Sequence, residues 1–185
     1  GQEMGRRSGT ENVAGIAGFG AAARAALADQ DAGVWEGVAG LRDRLEARVL
    51  EAAPETAIVG RGGPRLPNTS CLVTPGWKGE TQVMQMDLAG FAVSAGSACS
   101  SGKVRPSRVL AAMGLDEVAA ASAIRVSIGP RTTEEEIEGF AAAWLAALFM
   151  VGTLAMVLTA IAGRFLHFHV PGTDASAGYL MAGAG

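Results

Sequence analysis

The sequence has few lysines, histidines and cysteines, and each scarcity narrows what the protein can be. Among 15 basic residues only Lys78 and Lys103 are lysines. Two cysteines in a chain of 185 residues do not make the disulfide framework of a secreted domain, so we expect a reducing, cytoplasmic setting. The net charge of -3 gives no electrostatic reason to expect binding to nucleic acid.

Histidine is confined to one pair near the carboxyl end, His167 and His169. A His-x-His pair can bind a metal ion, but no third ligand lies nearby in the sequence, so we expect no metal site. The acidic run 134–136 is expected to begin a helix rather than carry out acid–base chemistry, because carboxylates favour the positive end of the helix dipole.

Charge is absent from a long stretch close to the carboxyl end. Residues 140–163 form a run of 24 residues without a charge, longer than the roughly 20 apolar residues that cross a bilayer. Residues 150–185 therefore have three interpretations: a transmembrane anchor, a segment misjoined by gene rearrangement, or an Ala-rich core helix that runs into a disordered end. The single cation Arg164 is consistent with a membrane boundary and does not fix an orientation.

The remaining pattern predicts helices that alternate with short strands. Apolar residues at spacings of three and four predict a helix over 33–53, on which Arg42 and Glu46 form an exposed pair one turn apart. Asn12 is the predicted cap of a helix over 11–28. The other predicted elements are strands over 56–59, 70–73, 91–94 and 123–128, and helices over 80–88, 106–113 and 133–148. This mixture predicts an α/β fold in the form of a small α+β layer, with a short, partly antiparallel sheet and helices on one face.

One thiol, Cys99, lies in a run of small residues. Residues 94–103 read SAGSACSSGK, and Arg105 follows. Small neighbours cannot pack over a thiol, so we expect Cys99 to be accessible, and the cations Lys103 and Arg105 favour the thiolate, which is the nucleophilic form. Cys71 lies instead in an apolar, strand-like run, which predicts a buried and unreactive thiol. The sequence therefore predicts a site for sulfur chemistry at Cys99.

Four sequence blocks occur in this order: GRRSGTEN at 5–12, PNT at 67–69, the Cys99 run with PSRVL at 106–110, and IRVS at 124–127. Taken together, they resemble the cysteine desulfurases, pyridoxal-phosphate enzymes of the class V aminotransferase group. The resemblance covers about residues 1–148. It implies the fold type I architecture of these enzymes, with residues 1–30 as the end of the large cofactor domain and residues 31–149 as the C-terminal small domain.

The resemblance also implies a reaction and its residues. The reaction is removal of sulfur from L-cysteine, which leaves L-alanine and a persulfide for iron–sulfur cluster assembly. Cys99 matches the catalytic cysteine, and Arg125 matches the arginine that holds the substrate α-carboxylate, a task suited to the planar guanidinium. Thr10 matches the threonine that reaches the cofactor phosphate of the neighbouring subunit in a homodimer. The implied partners are L-cysteine, a second subunit and a sulfur-acceptor or iron–sulfur scaffold protein.

One departure from the family concerns lysine. A pyridoxal-phosphate enzyme holds its cofactor as a Schiff base on a lysine, and neither Lys78 nor Lys103 resembles that residue. We therefore expect about the C-terminal half of the enzyme, inactive alone and unable to bind the cofactor covalently. The alternative is a non-catalytic sulfur-relay or interaction module that keeps Cys99, in one version attached to a membrane. An ordinary class V aminotransferase is a nearer rival, but it has no need of Cys99.

Overall fold

The fold is that of a computed structural model, which describes residues 3–6, 8–96, 107–166, 179 and 181–182. Cys99 with its neighbouring cations, and the pair His167 and His169, lie outside the described residues, so the predictions made for them stay predictions. The two other site candidates, Thr10 and Arg125, lie within the described part.

Five of the six α-helices in the described part correspond to predicted helices, and two differences stand out. Their bounds are α1 Val13–Asp31, α2 Val34–Ala52, α3 Gly79–Leu88, α4 Arg108–Ala112, α5 Glu117–Ala121 and α6 Glu134–Phe165. Asn12 caps α1 as predicted, since its side chain accepts from the Gly15 amide. Thr133 and Glu136 form a capping box at the start of α6. The unpredicted helix, α5, begins at the capping residue Asp116, a signal that the sequence already carried.

The last helix is the second difference, because α6 continues to Phe165 instead of ending near residue 148. Residues 149–163 include no proline and are mostly alanine, leucine, methionine and valine, so no stop signal interrupts the helix there. Residue 150 therefore lies inside one continuous helix.

Four short strands pair into one sheet in the order β1-β2-β4-β3. They are β1 Ala57–Ile58, β2 Thr69–Val73, β3 Ser94–Ala95 and β4 Ala123–Ser127. Every pairing among the described strands is antiparallel, which confirms the predicted small sheet. The strand predicted over 91–94 begins later, at Ser94, because the Phe91 amide bonds to the Met86 carbonyl (2.8 Å) and thereby closes the end of α3.

The main core lies between the sheet and helices α2, α3 and α6. It is formed by the buried side chains of Leu45, Val49, Leu72, Trp77, Met86, Ile124, Ile137, Phe140 and Trp144 among others. The rings of Trp77 and Trp144 lie 5.2 Å apart, so these tryptophans have the packing role that the sequence predicted.

The opposite face of the sheet is covered at one end, which differs from the expected arrangement of helices on one face only. There α4 and α5 place Leu110 and Ala120 against Val73 and Ala123. This short second layer exists because the unpredicted α5 follows α4 directly. The other end of this face, at Arg125, stays exposed.

Candidate functional site

Arg125 lies in the middle of β4 and is held there by its neighbours. Ile124 and Val126 are 1% and 6% exposed, whereas Arg125 is exposed. Because side chains alternate along a strand, burial of these two neighbours directs the guanidinium to the opposite face. The apolar flanks thus hold the arginine as the sequence predicted, on the less covered face of the sheet.

Two side chains from neighbouring strands flank Arg125. Cys71 of β2 and Ser94 of β3 are both its Cα partners in the antiparallel register. Directly opposite residues share one face, with their Cβ atoms roughly 5 Å apart. The guanidinium therefore lies between a thiol and a hydroxyl, a neighbourhood that no sequence motif indicated.

Cys71 is half-buried, rather than buried as predicted, because it lies next to the exposed end of this face. Burial raises the pKa of the Cys71 thiol, and the nearby charge of Arg125 lowers it by less, so the pKa stays above its ordinary value. A thiol with a raised pKa is mostly protonated at neutral pH and is a poor nucleophile. This agrees with the predicted lack of reactivity.

The segment that contains Cys99 is attached on both sides to elements near Arg125. On one side, Ser94 of β3 pairs with Arg125, and the described part of the chain ends two residues later at Gly96. On the other side it resumes at Ser107, whose hydroxyl accepts from the Leu110 amide and caps α4. Since Leu110 packs on the same face of the sheet as Arg125, both attachments belong to that face.

Thr10 lies apart from the sheet, in the exposed turn before α1. Gly9 has a φ of 91°, a left-handed conformation that glycine adopts without strain. No hydrogen bond or ion pair in the described part joins Thr10 to Arg125. A single chain does not test its predicted role toward a neighbouring subunit, and that role stays a prediction.

A polar cavity of about 410 Å³ lies between α2 and the chain that follows β1. It is lined by Arg42, Asp43, Glu46, Arg61, Gly63 and Arg65. The predicted exposed pair of Arg42 and Glu46 is wrong, because Glu46 is 1% exposed and accepts hydrogen bonds from Arg65 (2.6 and 3.0 Å) and Ser70 (2.7 Å). Sequence spacing along one helix could not show that Arg65 approaches from a distant turn.

The electrostatics of Glu46 indicate a structural role. Burial alone would raise the pKa of this carboxyl, but the hydrogen bonds from Arg65 and Ser70 and the charge of Arg65 lower it below its ordinary value. The same contact raises the pKa of Arg65. The ion pair therefore fastens the turn after β1 to α2.

The described residues do not by themselves fit pyridoxal phosphate. The one lysine in this part, Lys78, is exposed at the start of α3. Its backbone carbonyl accepts from the Gln82 amide (3.1 Å), and its side chain makes no hydrogen bond or ion pair with the described residues. A Schiff-base lysine requires a site that desolvates and orients its amine. The predicted role of Arg125 in binding a carboxylate stays a prediction.

Comparison with known proteins assigns the family. The profile of the family described as Aminotransferase class-V matches residues 1–140, so the chain belongs to that family. The match ends inside the first half of α6.

The relatives are cysteine desulfurases, which confirms the resemblance noted in the sequence. The chain is 44% identical over 137 residues to a cysteine desulfurase of Enterobacter agglomerans and 43% identical to cysteine desulfurase NifS of Azotobacter vinelandii. These matches cover 74% of this chain and 34% of each relative, so the chain spans about a third of their length. The crystal structure of a NifS-like protein from Rickettsia africae matches with a TM-score of 0.69 and 35% identity, over 80% of this chain and 38% of that one. This likeness confirms the predicted fold class.

Proposed function

We propose that this chain is the part of a cysteine desulfurase that binds the substrate carboxylate and accepts its sulfur. One observation carries the proposal: β3 pairs Ser94 with Arg125 and leads, within five residues, to Cys99. Arg125, the anion-binding group, thus lies on the sheet face from which β3 leads into the segment that contains Cys99. On this proposal residues 1–30 end the large domain and residues 31–149 form the small one.

Each residue has a defined chemical task. Arg125 binds the α-carboxylate of L-cysteine through two parallel hydrogen bonds and so orients the substrate. The Cys99 thiolate attacks the substrate sulfur; the carbon–sulfur bond breaks and a sulfur–sulfur bond forms. L-cysteine and the Cys99 thiol become L-alanine and the Cys99 persulfide, so atoms and electrons balance without an external oxidant. The family depends on pyridoxal phosphate as electron sink, and the described residues do not supply its lysine.

The same proposal assigns the partners. Thr10 extends toward the cofactor phosphate of a second subunit in a homodimer, where a hydroxyl and backbone amides can bind phosphate oxygens. The Cys99 persulfide passes its sulfur to an acceptor or iron–sulfur scaffold protein in the reducing cytoplasm, where a thiol stays available.

Reconstitution from two pieces tests the activity. The full chain is coexpressed with the portion of the E. agglomerans enzyme that it does not match, supplied with pyridoxal phosphate, and alanine formation from L-cysteine is measured. We expect alanine to form and Cys99 to carry one added sulfur atom by mass spectrometry. C99A should lower alanine formation at least about 100-fold.

Matched variants separate the roles. C71A is the control for C99A, since it removes the other thiol and should leave the rate within about twofold of the parent. R125A should raise KM about 10- to 100-fold more than it lowers kcat, because it removes carboxylate binding. Persulfide on Cys99 from a small-molecule persulfide, with no alanine in any reconstitution, would instead support the sulfur-relay module. Full activity of C99A would overturn both functions.

A further inference from the structure

Helix α6 has two halves with opposite environments. Its first half lies in the main core, with Ile137, Phe140, Trp144 and Ala147 between 0% and 6% exposed. Leu148 and Val151 still pack, partly buried, against the main core. From residue 152 the large side chains turn outward, and Leu154 and Leu158 are 59% and 56% exposed. An 18-residue apolar window of α6 is only 6% buried, which distinguishes it from the core helix of a soluble domain. We call residues 152–165 the α6 overhang.

The overhang is apolar on all sides. Its exposed large side chains are Leu154, Val157, Leu158, Ile161 and Phe165, and its sole charged residue is Arg164, one position from the end. A helix that docks in a protein groove presents an apolar stripe and a polar back, whereas a helix in lipid is apolar all round. The overhang has no polar back.

The two hydroxyls of the overhang are already satisfied within the helix. Thr153 donates to the Phe149 carbonyl (2.9 Å) and Thr159 to the Ala155 carbonyl (2.8 Å). Hydrocarbon offers no partner for polar groups, so such groups must bond internally. The overhang therefore presents to its surroundings almost no group that needs water.

Its length covers about two thirds of the hydrocarbon layer. At 1.5 Å per residue the overhang extends about 21 Å, against the roughly 30 Å core of a bilayer. Its one charged residue, Arg164, lies one position from the far end of the helix. The uncharged run 140–163 cannot be the span as a unit, because Trp144 is 0% exposed and packs on Trp77.

We propose that the α6 overhang inserts into a lipid bilayer, and that the inserted segment begins at residue 152 rather than 140, because Leu148 and Val151 pack on the domain core. The first half of α6 then stays in water as part of the domain core. The inference is independent of the proposed enzymatic function, since the family match ends at residue 140.

Quenching by brominated lipid tests both parts of the proposal. The full chain is incorporated into phosphatidylcholine vesicles with brominated acyl chains, and its tryptophan fluorescence is compared with that in unbrominated vesicles. The three native tryptophans lie outside the overhang and should lose less than about a tenth of their emission, because quenching requires contact with the acyl chains. L158W should add emission that is quenched at least about twofold. L88W is the matched control, since Leu88 is 87% exposed on α3, and its added emission should not be quenched.

Flotation gives a second measurement. The parent chain should float with the vesicles, and the double variant L154K/L158K should float at least about tenfold less, because each lysine is costly in hydrocarbon. M84K carries its charge at an exposed apolar position of α3 and should float like the parent. Failure of the parent to float, or its recovery as a dimer in the aqueous phase, overturns the insertion. Quenching of the native tryptophans overturns the start at residue 152.

Discussion

The two faces of the small sheet are formed by the same strands but differ in how deeply their side chains are buried. Toward α2, α3 and α6, Leu72 and Ile124 are 0% and 1% exposed. One residue along the same strands, Cys71 is half-buried and Arg125 is exposed on the other face. Strand alternation thus places a buried core residue next to a half-buried or exposed residue that points to the other face.

The two faces also differ in whether their polar side chains have bonding partners within the protein. On the covered side Gln82 donates to the carbonyls of Trp77 (2.8 Å) and Ser122 (3.0 Å) and accepts from Trp144 (3.4 Å). No buried side-chain N or O atom in the described part lacks a hydrogen-bond partner. Arg125, by contrast, has no carboxylate partner among the described residues. The polar groups of the covered side are thus saturated with hydrogen bonds, whereas the charge of Arg125 is exposed on the other face.

Replacement of Trp144 on the covered face should have the largest effect on stability. Trp144→Ala removes a fully buried ring from Trp77 and the hydrogen bond to Gln82, and should cost about 3–5 kcal/mol of unfolding free energy. Urea unfolding followed by circular dichroism measures it. Met84→Ala, at an exposed position, should change the value by less than about 0.5 kcal/mol. A cost below about 1 kcal/mol for Trp144→Ala would contradict the assignment of this face as the stabilising one.

Replacement of Glu46 should have the next largest effect on the free energy of unfolding, and this effect should depend on pH. Its pKa is lowered in the folded state, so the ion pair stabilises the protein above the ordinary carboxyl pKa and loses that contribution as pH falls through the folded-state pKa. Glu46→Gln should therefore cost about 1–3 kcal/mol at pH 7 and distinctly less at pH 3, measured by urea unfolding at both values. Glu80→Gln, at an exposed position on α3, is the control. An equal cost at both pH values would show that the charge of Glu46 does not stabilise the packing of the turn after β1 against α2.

The sequence predicted the elements because their signals are local. The apolar spacing of α2, the cap at Asn12 and the capping box at Thr133 each depend on residues within a few positions of one another. The strands β2 and β4 were predicted for the same reason, from short apolar runs. Local chemistry decides where an element begins and what type it is.

The site could be predicted only in part, because its geometry depends on contacts distant in sequence. Arg125 was found through its motif, but its neighbours Cys71 and Ser94 come from two other strands, and nothing local fixes the order β1-β2-β4-β3. Glu46 was misassigned for the same reason, since its partner Arg65 lies in a separate turn. The sequence also could not show where α6 leaves the core, because an apolar run has the same pattern whether protein or lipid surrounds it.

Replacement of Arg125 should have the smallest effect on stability and a measurable effect on the reactivity of the Cys71 thiol. Arg125→Met keeps an unbranched apolar stem and removes the charge, and should change the unfolding free energy by less than about 0.5 kcal/mol, since the position is exposed. The charge of Arg125 lowers the pKa of Cys71 against the effect of burial, so its removal should raise that pKa further. Alkylation of Cys71 by iodoacetamide at pH 8, resolved from Cys99 by peptide mass spectrometry, should then slow about threefold. Arg125→Lys retains a cation, and its alkylation rate should stay close to that of the parent. Equal slowing in both variants would mean that packing rather than charge links Arg125 and Cys71. Packing would then be the main interaction on both faces of the sheet.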